Sequence, residues 1–140
     1  MSRKVVKKQE KRTILIVDYD KSTGRTFKQI VERRGYVGDI AEDGGEAIEK
    51  IKNNTYDAAL INFVLPDMDG LDLLLFTNKI MPNAADIITI GFPSLGNGIR
   101  AVDFRPDAYF SKPIQPKELI HVIEEKFKLQ EEKSGKSKRK

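Results

Sequence analysis

The chain has no cysteine, no tryptophan and a single histidine among its 140 residues. Without thiols there are no disulfides, no thiolate zinc site and no cysteine nucleophile. Long apolar runs are missing too: nothing approaches the roughly 20 residues that a membrane-spanning helix needs. The N-terminus is basic, but the longest apolar run after it is Ile14–Val17, too short for the apolar region of a secretory signal. A soluble, cytoplasmic protein with no membrane partner is expected. Apolar residues make up 39% of the chain beside 33% charged, which argues against wholesale disorder. The length suits one domain with its own core.

Charge is present in an uneven pattern. Residues 1–12 hold six cations against one acid, and residues 133–140 hold five cations and no acid. Because the whole chain is +4, the body between them is −6. The expected organisation is a basic N-terminal arm over 1–12, a globular domain over 13–130 and a basic tail over 131–140. Such arms bind nucleic acid by counterion release or serve as solvated ends. Neither arm interleaves aromatic residues, so stacking on bases has no support.

The body alternates short apolar runs with amphipathic segments. TILIV (13–17) is continuous and β-branched, as a strand buried on both faces should be. A helix follows over about 21–34, with Asp20 or Ser22 to cap it and Gly35 to stop it. A weaker strand spans Tyr36–Ala41, and Asp43-Gly-Gly-Glu46 has the form of a capping box opening a second helix. DAALI (57–61) is the third strand, ending in Asn62. The turn residues Pro66, Asp67, Asp69 and Gly70 then lead into a helix over about 71–80. IITI (87–90) and Ala108–Ser111 complete five strands. Pro93, Gly96 and Gly98 predict a short or mobile helix around Leu95–Phe104. Pro116 opens the last helix, with Leu119, Ile120, Ile123 and Phe127 inward, His121 toward solvent and Gly135 as its end.

Strands alternating with helices imply a parallel sheet covered on both faces. Chemistry in such sheets gathers at the carboxyl ends of the strands. The residues placed there are Asp18, Tyr19, Asp20, Asn62, Gly91 and Lys112.

ILIVDYD, YDAALINFVLPDMDG and the later YFSKP, in that order, resemble the receiver domain of two-component response regulators. The resemblance covers about residues 13–130. It implies an α/β, flavodoxin-like, doubly wound five-stranded parallel sheet of order 2-1-3-4-5 with five helices. It also implies a cis Lys112–Pro113 peptide. In such domains an acidic pair after the first strand holds Mg²⁺, and an Asp ending the third strand accepts a phosphoryl group. A Thr or Ser after the fourth strand and a Lys after the fifth then bind the phosphoryl oxygens.

Carried onto this chain, the acidic pair is Asp18-Tyr19, the acceptor position is Asn62 and the hydroxyl position is Gly91; Lys112 is retained. An amide is not a carboxylate nucleophile. No catalytic residue, no enzyme activity and no cofactor are therefore expected, with Mg²⁺ weak at Asp18 or absent. Asp20 serves as a helix cap, and Lys112 is expected to pair with Asp18 and hydrogen-bond Asn62. Tyr109, at the family's switch position, is either constitutively inward or a surface contact residue.

The expected function is that of a pseudo-receiver: a stand-alone receiver acting in signal transduction through phosphorylation-independent protein contacts. The resemblance places its interaction face around Tyr109, Phe104 and Leu95, on the helix between the fourth and fifth strands, the fifth strand and the last helix. The partner would be a histidine kinase or a downstream signalling protein, or a second copy of the chain. The alternatives are a receiver phosphorylated on a non-standard acid, Asp67 or Asp20, and a nucleic-acid-associated protein using its arms.

Overall fold

The structure, a computed structural model, describes residues 11–91 and 106–139, with side chains through Glu132. The elements are β1 (Thr13–Val17), α1 (Lys21–Arg33), β2 (Val37–Ala41), α2 (Gly44–Asn53), β3 (Ala58–Asn62), α3 (Gly70–Ile80), β4 (Ala85–Ile90), β5 (Ala108–Ser111) and α4 (Pro116–Arg139). The five strands form one parallel sheet in the order β2-β1-β3-β4-β5. This is the expected topology. Four helices lie among the described residues; the fifth, expected around Leu95–Phe104, falls outside them.

The sheet is buried on both faces because its central strands are apolar at most positions, with Asn62, Asp86 and Thr89 as buried polar exceptions. β3 and β4 are buried from end to end. Successive side chains point to opposite faces, so TILIV splits into two cores. Leu15 and Val17 join Ala59, Ile61, Ile88 and Ile90 under α2 and α3. Ile14 and Ile16 join Leu60 and Ile87 under α1 and α4, against Phe27, Val31, Leu119, Ile123 and Phe127. Each fully buried aliphatic of this kind contributes about 1.5–3 kcal/mol.

The helix boundaries follow from local chemistry. The Asp20 carboxylate accepts from the Thr23 backbone N–H at the start of α1. At its end Tyr36 N donates to Val31 O and Gly35 N to Glu32 O. Gly35 has φ +93°, a value that favours glycine in this type of helix stop. α4 departs from expectation, since it continues through Gly135 to Arg139. One glycine in a helix costs only about 1 kcal/mol, too little to force a stop.

The expected capping box needs correction. Asp43 does cap α2 through Glu46 N, but the Glu46 carboxylate reaches back to Glu42 N, one residue before the cap. Asp69 occupies the N-cap position of α3 yet makes no side-chain capping bond there. The capping carboxylate of the loop is Asp67, and it serves α2: its two oxygens accept from Gly44 N and Gly45 N, 2.8 Å each. The β3–α3 loop is thereby fastened to the neighbouring helix.

Candidate functional site

Three parallel strands deliver their next residues to one point. Asp18 follows β1, Asn62 ends β3 and Lys112 follows β5; Asp18 and Asn62 are buried, with 1% and 4% of their surface exposed. Backbone bonds continue the ladders past the strand ends, from Asp18 N to Ala41 O and from Lys112 N to Ile90 O. The Lys112–Pro113 peptide is cis.

The ammonium of Lys112 donates to Asp18 Oδ2 at 2.8 Å and to Asn62 Oδ1 at 2.9 Å. The other Asp18 oxygen accepts from Asp20 N at 3.0 Å. Asn62 Oδ1 also accepts from the Thr89 hydroxyl at 3.2 Å, while Asn62 Nδ2 donates to Val64 O at 2.7 Å. The amide is thus used at both ends, and its orientation is set by a cation on one side and a carbonyl on the other. Every polar atom in this cluster has a partner, as burial requires.

Residues 14–124 match the family described as the response regulator receiver domain. The chain belongs to that family. Relatives include the chemotaxis protein CheY of Thermotoga maritima, 30% identical over 79% of this chain and 92% of its own length. The response regulator MprA of a Mycobacterium species is 27% identical over 76% of this chain and 46% of its own. The present sequence spans about half the length of regulators such as MprA and ArlR. Among solved structures, a CheY-like receiver domain from Methanospirillum hungatei is 38% identical, covers 89% of this chain and 99% of its own, and superposes with a TM-score of 0.83. Receiver domains act in two-component signal transduction as interaction modules for histidine kinases and other proteins, and as a class they signal rather than catalyse.

Of the residues the sequence placed at this receiver's carboxyl pole, Asp18, Asn62 and Lys112 come together. Tyr19 does not join them; its side chain is 52% exposed. Asp20 lies at the surface as the α1 cap, and the Thr23 hydroxyl holds its carboxyl below the usual range. Gly91 is exposed, and no atom of the described residues stands within 4 Å of where a Cβ would project. Tyr109 is 46% exposed on β5. Leu95 and Phe104 lie outside the described residues. His121 is exposed on α4.

Sequence reasoning missed Thr89. It is buried and pairs in register with Asn62 across β3 and β4. In IITI it read only as a β-branched strand former, although the register of two parallel strands would have placed its hydroxyl beside the amide. Asp67 was read as a turn former and not as a cap on a distant helix. Its carboxyl is held below the usual range by the Gly44 and Gly45 N–H groups. Among the described residues, no helix is long and apolar enough to cross a membrane.

Proposed function

We infer that this chain is a pseudo-receiver, a signalling module that works through protein contacts without phosphorylation of the strand-end residue. The observation that carries the reading is Asn62 itself. Where receivers place an acceptor Asp, an amide stands with its oxygen on the Lys112 ammonium and its N–H on Val64 O. An amide oxygen is too weak a nucleophile to take a phosphoryl group from a donor. Gly91 supplies no hydroxyl to follow such a group.

The donor set does not fit Mg²⁺. A hard divalent cation wants about six oxygens, several of them anionic. The buried cluster offers one carboxylate, with an ammonium already 2.8 Å from it, and the nearby Asp20 carboxylate is engaged in capping α1. Asn62 Oδ1 and Val64 O are also engaged by donors of the chain. The Lys112 ammonium neutralises the pocket from within, so the reading includes weak or absent Mg²⁺ binding and one fixed state of the site.

The non-standard acids are poorly placed to substitute. Asp67 and Asp20 are each committed to a helix N-terminus, and displacement of a reacting group from its productive position is costly. Signalling would pass through the surface around Tyr109 to a histidine kinase, a downstream protein or a second copy. Nucleic-acid binding by the basic ends has no observation in its favour among the described residues.

The test combines a small-molecule phosphodonor with a phosphoryl mimic. After incubation with acetyl phosphate and Mg²⁺, the intact mass is expected to be unchanged. Beryllofluoride with Mg²⁺ is expected to leave the amide resonances of Asn62, Thr89 and Tyr109 in place. An added phosphate, or shifts spreading from Asn62 to Tyr109, would overturn the reading.

A further inference from the structure

Asp86 is buried near the start of β4, with 3% of its surface exposed, and takes no part in the cluster at the carboxyl pole. Its side chain points to the α3 side of the sheet, the side to which Ile88 and Ile90 also point. There it meets Thr77, whose Oγ1 lies 3.2 Å from Asp86 Oδ1 and 2.9 Å from Leu74 O. A hydroxyl carries one proton. Spent on the nearer Leu74 carbonyl, that proton leaves the contact with Oδ1 to be made by a protonated carboxyl donating to the Thr77 oxygen. Burial acts in the same direction, since desolvation disfavours the charged form and pushes Asp86 up to about 7.

A second set of contacts ties Asp86 to the lead-in of β5. Asp107 N donates to Asp86 O at 2.9 Å, and Asp86 N donates to Asp107 Oδ2 at 2.7 Å. The Asp107 carboxylate is thus clasped to the backbone of the buried acid, and its charge adds to the cost of ionising that acid. The other packed elements do not offset this cost. Ala59 stands opposite Asp86 on β3. Asp57, just before β3, accepts from Thr13 N and pairs with Arg12. Lys79 on α3 is exposed. Lys126 on α4 stands 4.0 Å from Asp107 Oδ1. Ionisation of Asp86 therefore sets two carboxylates against each other, with Lys126 placed to draw Asp107 away.

We propose that Asp86 and Thr77 form a proton-operated latch between α3 and the lead-in to β5: the protonated carboxyl keeps it closed, and loss of that proton turns the Thr77 hydroxyl from Leu74 O onto Asp86 and frees Asp107 toward Lys126. The hydroxyl meets the ionised form and so opposes the rise that burial causes. Closure belongs to the acidic side of neutrality and opening to the alkaline side. The latch is independent of how the carboxyl pole is read.

The full chain, labelled with ¹³C and ¹⁵N, is followed by NMR from about pH 5 to about pH 9. The Asp86 carboxyl carbon should titrate with a midpoint of about 7, and the amides of Thr77 and Asp107 should follow the same curve. The scalar coupling across the hydrogen bond from Asp86 N to the Asp107 carboxylate should be present at the acidic end and lost at the alkaline end. Asp86→Asn keeps a donor for Thr77 without a titrating group, so the coupling should persist throughout and the amide responses should vanish. Thr77→Val removes the group that meets the ionised form, and the midpoint should move up. Four results would each overturn the latch: an Asp86 already ionised at the acidic end, a coupling unchanged across the range, a midpoint that Thr77→Val leaves in place, or an amide response that survives Asp86→Asn and so belongs to His121 or another group.

Discussion

Asn62 Nδ2 donates a 2.7 Å hydrogen bond to the carbonyl of Val64, two residues further along its own chain. Only an amide can make this contact, because an ionised carboxylate in its place would set oxygen against oxygen. The Asn62 amide therefore also holds the first turn of the β3–α3 loop.

Asn62→Asp should consequently cost about 1–3 kcal/mol in metal-free buffer, the loss expected when a buried donor disappears and its acceptor is left unmatched. The same change creates a second carboxylate beside Asp18. Millimolar Mg²⁺ should then move the amide resonances of Asp18, residue 62 and Lys112 in the variant and leave the natural protein flat. An equal response from both proteins would contradict the account of the pocket.

Lys112→Met removes the cation from a carboxylate that is 1% exposed. Breaking a buried pair from one side leaves an uncompensated charge. The Lys112 side chain keeps 23% exposure, so water offsets part of the loss and about 2–4 kcal/mol is expected by chemical denaturation. Adding Asp18→Asn should recover part of it. Two independent, additive losses would show that the pair is not coupled.

Asp86 supplies a pH dependence unrelated to the carboxyl pole. It is buried between α3 and the lead-in to β5, with the Thr77 hydroxyl 3.2 Å from Oδ1 and its own N–H donating to Asp107 Oδ2. Desolvation raises its pKa from 3.8 to about 7; the Thr77 bond opposes the rise and the Asp107 charge adds to it. The native state therefore holds a proton that the unfolded chain gives up. Its stabilising contribution is complete below about pH 4 and is lost as pH climbs through about 7. Asp86→Asn should raise stability by about 1–2 kcal/mol at pH 8 and by nothing at pH 4. Melting curves at the two pH values check the sign.

Gly70 packs directly against the backbone of the site. A Cβ there would stand 2.9 Å from Phe63 O and closer still to Asn62 O. Gly70→Ala should cost about 1–3 kcal/mol and shift the amide signals of Asn62 and Phe63. A neutral substitution would mean that the loop moves away at little cost.

The strands were legible because β1, β3 and β4 are buried on both faces, so their apolar runs are continuous and need no partner to be recognised. The cap at Asp20 and the stop at Gly35 were legible for a related reason: each acts within about three residues of itself. On the proposed reading, Asn62, Tyr19 and Gly91 stand out as departures because the surrounding family pattern is also carried by local runs.

What the sequence by itself determined is the set of strands and helices among the described residues and the chemical character of the strand-end residues; the strand order was implied by the family resemblance. The elements depend on hydrophobic period and turn chemistry, which act over a few neighbours. Tertiary structure alone decided which groups meet. The Thr89 hydroxyl reaches Asn62 through the register of two strands, Asp67 caps a helix 22 residues earlier, and Arg12 fastens the start of β1 to α4 across more than a hundred positions. Hydrogen bonds of that span arise from the geometry of packed layers, and local sequence carries no record of it.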